Sequence, residues 1–462
     1  MPRTLVLWGL VWSLSIVEPA PMFGQSTCLE GVQASGSLYR ICLPPAGAFN
    51  GSLVIWAHGF QDATEPVRIP EEQLQFGGVY LPDLVNSLGF AFATNSYSKT
   101  GLAVVQGMAD IRDLVTIYEQ TVGRPDKVYL TGASEGGIIT ALLVEQFPDI
   151  FDGGLAACGP VGDFIEQIAY FGDARATFEY YFPGLIPGDP FQPAQSLVDS
   201  WSVGGGYYET VVEPVLRDPV NAAARDEWAR VARLPYDPDQ YEDTLMTSVR
   251  DVLRYSVVNL NDATETLGGF PFDNAQTWYR GAADELALNR AVPRAQAAPQ
   301  AIAELKRNYT TSGVLQRPLM TMHTLLDQQV PYWHEPLYTQ KNLASGSLVT
   351  QRLNLPVNRY GHCNFTVEEA LFMFALLLRY NGDLHLVLPA AGHDVLVDSQ
   401  GNLALAVGTP GDRWLPAAPQ RGGGDALLSP LPTRAPLPAV PQRLGRQSRP
   451  VPMRASPHDD ER

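Results

Sequence analysis

The strongest chemical signal in the chain is the run Gly132-Ala133-Ser134-Glu135-Gly136-Gly137, which reads G-x-S-x-G and falls between a strand-like and a helix-like stretch. A serine on a sharp strand-to-helix turn is a nucleophile elbow. Its hydroxyl stands above the sheet, and small residues two positions away leave room for the strained backbone. The helix N-terminus behind it faces any negative charge that develops. A hydroxyl is a weak nucleophile until a base takes its proton, so a histidine and an orienting acid must converge on Ser134 from elsewhere. The chain has seven histidines, and residue type alone does not choose among them.

The elements around Ser134 follow a regular order. Residues 52–60 (SLVIWAHGF) form a continuous apolar run, as expected of a strand buried on both faces, and a second such run covers 89–98. Helices are predicted at 81–87 and 102–121, the second stopped by Gly123-Arg124-Pro125. Then come a strand at 127–131, the serine turn, a helix at 138–147 and a strand at 154–158. This alternation predicts the α/β class, with a mostly parallel sheet and helices on both faces. It breaks at Gly159-Pro160. Strands return at 318–326 and 348–355, followed by a helix at 367–380. The intervening 161–316 are helix-like and aromatic, with Tyr180, Trp201, Trp228, Tyr255 and Phe272 among them. Most of these aromatics are expected to form a core of their own, and a few to line an apolar pocket. The pattern predicts a core of 26–160 and 317–410, ending in a hairpin at 383–410, with a mainly helical cap at 161–316 inserted before the strand at 318–326.

With the elbow and this order of elements in place, residues 52–380 resemble the α/β-hydrolase superfamily, and its serine esterases and lipases in particular. The resemblance implies that fold and a set of roles. His58-Gly59-Phe60 follows an early strand, so the N–H groups of Phe60 and Glu135 are expected to form an oxyanion hole, with His58 shaping the loop. The superfamily order of serine, acid and histidine implies Asp327, at the end of the strand LMTMHTLL and just before Val330-Pro331, and then His362 in Gly361-His362-Cys363. His323 lies within a strand, His334 where the next helix begins, and His393 in the appended hairpin. His362 is therefore the expected base. The cysteine after it partly resembles the tannase and feruloyl-esterase proteins, which bridge that cysteine to the nucleophile region. Their partner cysteine directly precedes the serine, where this chain has Ala133. The GxSxGG elbow also resembles prolyl-oligopeptidase-like hydrolases, although no propeller domain precedes it here.

The whole chain sets the context. Arg3 and the apolar stretch 5–17 read as an export signal over residues 1–25, too short for a membrane span. Export favours pairing of the four cysteines. Cys28 and Cys42 flank a predicted hairpin and are expected to pair, which leaves Cys158 with Cys363. A net charge of −17 argues against nucleic acid and against an anionic membrane. No metal-ligand or dinucleotide motif is present in the sequence, so no cofactor is expected. Residues 411–462 are rich in Pro and Arg and predict a disordered tail. The expectation is a secreted serine hydrolase that cleaves carboxylic esters, small or polymeric, through an acyl-enzyme. The alternatives are a peptidase acting on short peptides and a hydrolase-fold binding protein without turnover.

Overall fold

The computed structural model describes residues 27–386, except 46, 202–204 and 348–351, together with 395–397, 403–405 and 435–436. Eight strands make the central sheet: β1 (Thr27–Val32), β2 (Leu38–Leu43), β3 (Leu53–Ala57), β4 (Ala91–Asn95), β5 (Val128–Ala133), β6 (Gly153–Ala157), β7 (Leu319–Leu326) and β8 (Arg352–Tyr360). Their spatial order is β1-β2-β4-β3-β5-β6-β7-β8. Only β2 runs against its neighbours; every pairing from β4 to β8 is parallel. This order, with the serine turn after β5, is the α/β-hydrolase fold.

Successive residues of the apolar strands point to opposite faces, and both faces are covered. Leu53, Ile55 and Leu130 pack against α2 (Val104–Thr121) and α3 (Glu135–Gln146). Val54, Tyr129 and Met322 pack against α1 (Leu81–Ser87) and the last long helix, Val367–Tyr380. Between β6 and β7 lie α4 (Phe164–Tyr181), α5 (Gln195–Ser200), α6 (Glu213–Arg217), α7 (Ala222–Ala232), α8 (Tyr241–Val258), α9 (Leu260–Thr266), α10 (Glu285–Ala291) and α11 (Pro299–Asn308). This cap has its own core around Phe178, Trp201, Trp228 and Leu253. After β7 come α12 (His334–Ser345), β8 and α13 (Val367–Tyr380).

Several boundaries differ from the sequence reading, two of them for clear physical reasons. The helix after the serine begins at Glu135 rather than residue 138. The glycine pair that reads as turn is in fact helical, because the helix packs too closely on the sheet for any side chain there. The strand expected at 348–355 is β8, and it runs on to Tyr360. Pro356 is accommodated because β8 is an edge strand, where a missing N–H costs no ladder bond. The hairpin segment contains Val395–Val397 paired antiparallel with Leu403–Leu405. The predicted signal segment, His393 and the tail lie outside the described residues, apart from Ala435–Pro436, which pairs with Thr277–Trp278. Among the described residues no helix is long and apolar enough to cross a membrane.

Candidate active site

Ser134 caps α3 with φ 57° and ψ −120°, a left-handed conformation that side chains rarely adopt. Its neighbours explain the motif. A methyl group at Gly136 would run into the Ala57 carbonyl, and one at Gly137 would lie 2.7 Å from the Ala157 oxygen. The Ser134 N–H donates to Ala157 O at 2.9 Å, and the Cys158 N–H donates to Met322 O at 2.8 Å. The carboxyl ends of β5, β6 and β7 are thus laced together under the serine.

Asp327 follows β7 directly and is fully buried. Its Oδ1 accepts from the Gln329 and Val330 N–H groups, both at 2.9 Å. His362 Nδ1 lies 2.8 Å from Oδ2 and 3.0 Å from Oδ1. Burial alone would raise the Asp327 pKa. The charge of His362 and the bonds to His323 and His362 outweigh it and hold the carboxyl well below the usual carboxylate range. The His362 loop is anchored on both sides. Gly361 N–H donates to Leu326 O at 3.3 Å, Thr324 Oγ1 donates to Gly361 O at 2.7 Å, and Cys363 is disulfide-bonded to Cys158. The second predicted bridge, Cys28–Cys42, crosslinks facing residues of β1 and β2.

With Nδ1 turned to Asp327, His362 Nε2 rests 3.4 Å from Cys363 Sγ. Ser134 and His362 line the same cavity. Among the described residues Ser134 Oγ makes no hydrogen bond, and in unliganded enzymes this contact is commonly long until substrate tightens it. Cys158, His362 and Cys363 also cluster as metal-ligand types, but the two sulfurs are bonded to each other and offer no thiolate.

The loop after β3 lies beside the serine: a Cβ on Gly59 would lie 3.3 Å from Ser134 Cβ. Among the described residues the Phe60 and Glu135 N–H groups donate no hydrogen bond. Gln73, on which the sequence was silent, clamps this loop. Its Oε1 accepts from Gly59 N–H at 2.6 Å and its Nε2 donates to Phe60 O at 3.4 Å. His58 is buried away from the reaction zone. Its Nδ1 lies 2.7 Å from Gly59 O, its ring stacks on Tyr97 with centroids 3.8 Å apart, and burial pushes its pKa down to about 4. The Glu135 side chain turns inward and accepts from Ala103 N–H at 2.8 Å; burial pushes its carboxyl up to about 8.

His334 is buried beneath the cap, where its Nδ1 accepts from Gly162 N–H at 3.1 Å. His323 is more consequential than its strand position suggests. Its Nε2 donates to Val330 O at 2.7 Å and approaches Asp327 Oδ2 at 3.5 Å, while Nδ1 lies 3.4 Å from Glu335. Burial opposes its charge, but Asp327 and Glu335 raise its pKa to about 10.

One cap helix touches the Phe60, Asp327 and His362 loops. On α8, Arg254 pairs with Asp62 beyond the Phe60 loop, and Asp251 accepts from Gln328 Nε2 and Gln329 Nε2, each at 2.9 Å. Tyr360, at the end of β8, donates to Thr244 O at 2.7 Å.

No protein-family model and no curated protein matches the chain. Among solved structures it is similar to feruloyl esterase B from Aspergillus oryzae, with 14% identity and a TM-score of 0.44, covering 76% of this chain and 80% of that one. An esterase from Aspergillus oryzae gives 15% identity and a TM-score of 0.43, over 73% and 72% of the two chains. An acylaminoacyl peptidase, solved in complex with Z-Gly-Gly-Phe-chloromethyl ketone, gives 9% and 0.40. That match covers 77% of this chain and 41% of the peptidase, so the chain spans about two fifths of that protein's length.

Proposed function

We propose that this chain is a secreted serine hydrolase that cleaves carboxylic esters through an acyl-enzyme. The observation that carries the reading is a strained Ser134 on the same cavity as a His362 whose far nitrogen is held by buried Asp327. Ser134 Oγ attacks the carbonyl carbon while His362 Nε2 takes its proton. The N–H groups of Phe60 and Glu135 hold the tetrahedral oxyanion, a contribution of about 3 kcal/mol per donor. His362 then passes the proton to the departing alcohol, and water releases the acid by the same steps in reverse.

Ester is favoured over peptide because the cavities beside Ser134 are lined mainly by apolar side chains. Amide groups buried there would lose water with few partners in exchange. Secretion is supported by the two disulfides, which persist in oxidising compartments. The test is covalent labelling by a fluorophosphonate together with turnover of p-nitrophenyl esters. Ser134→Ala should lose both, and labelling that survives the substitution would reject Ser134 as nucleophile.

A further inference from the structure

Ser134 borders two cavities of unequal size, and His362 borders only one of them. The larger, about 330 Å³, is bordered at one end by Ser134, His362 and Gln73. From there it descends along the sheet face between the strands and helices α1 and α13, reaching Val54 and Phe90. Val54 lies five residues before Gly59, at most about 16 Å of extended chain, so the cavity is elongated along β3. The side chains it takes from the helices, Val85 and Leu88 from the α1 side and Ala370 and Phe374 from α13, are apolar, while the sheet side adds Trp56 and Thr131. The smaller, about 120 Å³, sits under the cap among Phe164, Phe171, Tyr255 and Phe272. It is tighter than an apolar cavity of about 150 Å³, which accepts one benzene ring.

The chemistry of the proposed reaction assigns a direction to these spaces. The base that deprotonates Ser134 must return that proton to the leaving oxygen, so the leaving alcohol lies on the histidine's side and the acyl group on the other. We infer, on the basis of the ester-hydrolase reading above, that the preferred substrate is an ester of a compact acid with an extended apolar alcohol. The alcohol occupies the elongated cavity beside His362 and the acyl group occupies the cap cavity. In the first half-reaction the Ser134 Oγ–acyl bond forms, the ester C–O bond breaks, and the serine proton leaves on the alcohol oxygen through His362. Water then cleaves the acyl-serine, giving the acid and restoring the hydroxyl.

The test uses the full chain and two ester series, read by acid release. One series is acetates of linear alcohols from ethyl to dodecyl; the other is ethyl esters of linear acids from acetate to dodecanoate. On the acetates, kcat/KM should rise about fourfold per added methylene until the elongated cavity is filled. On the ethyl esters it should fall by at least about tenfold once the acyl group outgrows the cap cavity. Val85→Phe and, on the opposite wall, Ala370→Leu should each flatten the acetate series. Ile168→Trp, in the cap cavity, should shorten the range of acids accepted. Gains with acyl length but not alcohol length, or equal slopes in both series, would overturn the assignment. If no ester is turned over and fluorophosphonate does not label Ser134, the hydrolase reading itself fails, an outcome distinct from any pattern of chain lengths.

Discussion

Asp327 Oδ2 is approached by two imidazoles, His362 Nδ1 at 2.8 Å on the cavity side and His323 Nε2 at 3.5 Å on the buried side. The acid is therefore held from behind as well as from the front. Behind His323 stands Glu335, which in turn pairs with Arg352 and accepts from Thr321 Oγ1. This alternation of charges keeps a buried carboxylate ionised where desolvation alone would protonate it.

Replacement of Asp327 by Asn should leave the fold intact and lower kcat by about 10⁴-fold, because an amide favours the wrong His362 tautomer. Steady-state kinetics on one activated ester measures the loss, and a kcat within tenfold of the parent would remove Asp327 from the site.

Stability should depend on pH through His323. Its folded pKa of about 10 lies above the ordinary 6.5, so the folded state binds the proton more tightly than the unfolded chain. That contribution is complete below about pH 6.5 and is lost as pH rises through 10. Glu135, raised from 4.5 to about 8, acts in the same direction between those two values. Urea midpoints from pH 6 to 10 should therefore fall, and His323→Gln together with Glu135→Gln should flatten the slope. A parent midpoint that climbs over this range would contradict the buried-charge account.

Gln73 should act on rate more than on binding. It borders the cavity, but its amide is engaged by the Gly59–Phe60 peptides. Gln73→Ala should cut kcat by about tenfold, less than the 10²- to 10³-fold loss of an oxyanion donor itself, with KM little changed. A change confined to KM would place Gln73 in substrate binding instead.

Gly136→Ala should destabilise the protein by about 3 kcal/mol, in the range of core overpacking. The added methyl group meets the Ala57 carbonyl, which a sheet strand cannot withdraw. Thermal unfolding measures this, and a variant as stable as the parent would show that the helix–sheet contact is looser than described.

The elbow was legible in the sequence because its glycines answer a steric demand that leaves no other residue possible. The parallel sheet was legible because strands buried on both faces are apolar throughout, as in Leu53–Ala57. His362 and Asp327 could be placed once the order of elements was known, since each follows closely on a strand. Gln73 and Asp251 could not. A polar residue in a loop or on a helix carries no periodic signature, and its partners are 14 and 77 residues away in the chain. His323 shows in the sequence only as a strand residue for a related reason: its role depends on Glu335, at the start of a helix whose orientation no local pattern specifies. The aromatic cap was foreseen as mostly self-packed, and Trp201 and Trp228 are.

The Cys158–Cys363 bridge closes a loop of 205 residues that contains the entire insertion between β6 and β7. A protease that nicks the backbone anywhere in that insertion therefore cannot part the fragment bearing the serine from the one bearing the aspartate and the histidine. The cut chain should migrate as a single species on a non-reducing gel and separate into two only when a thiol is added.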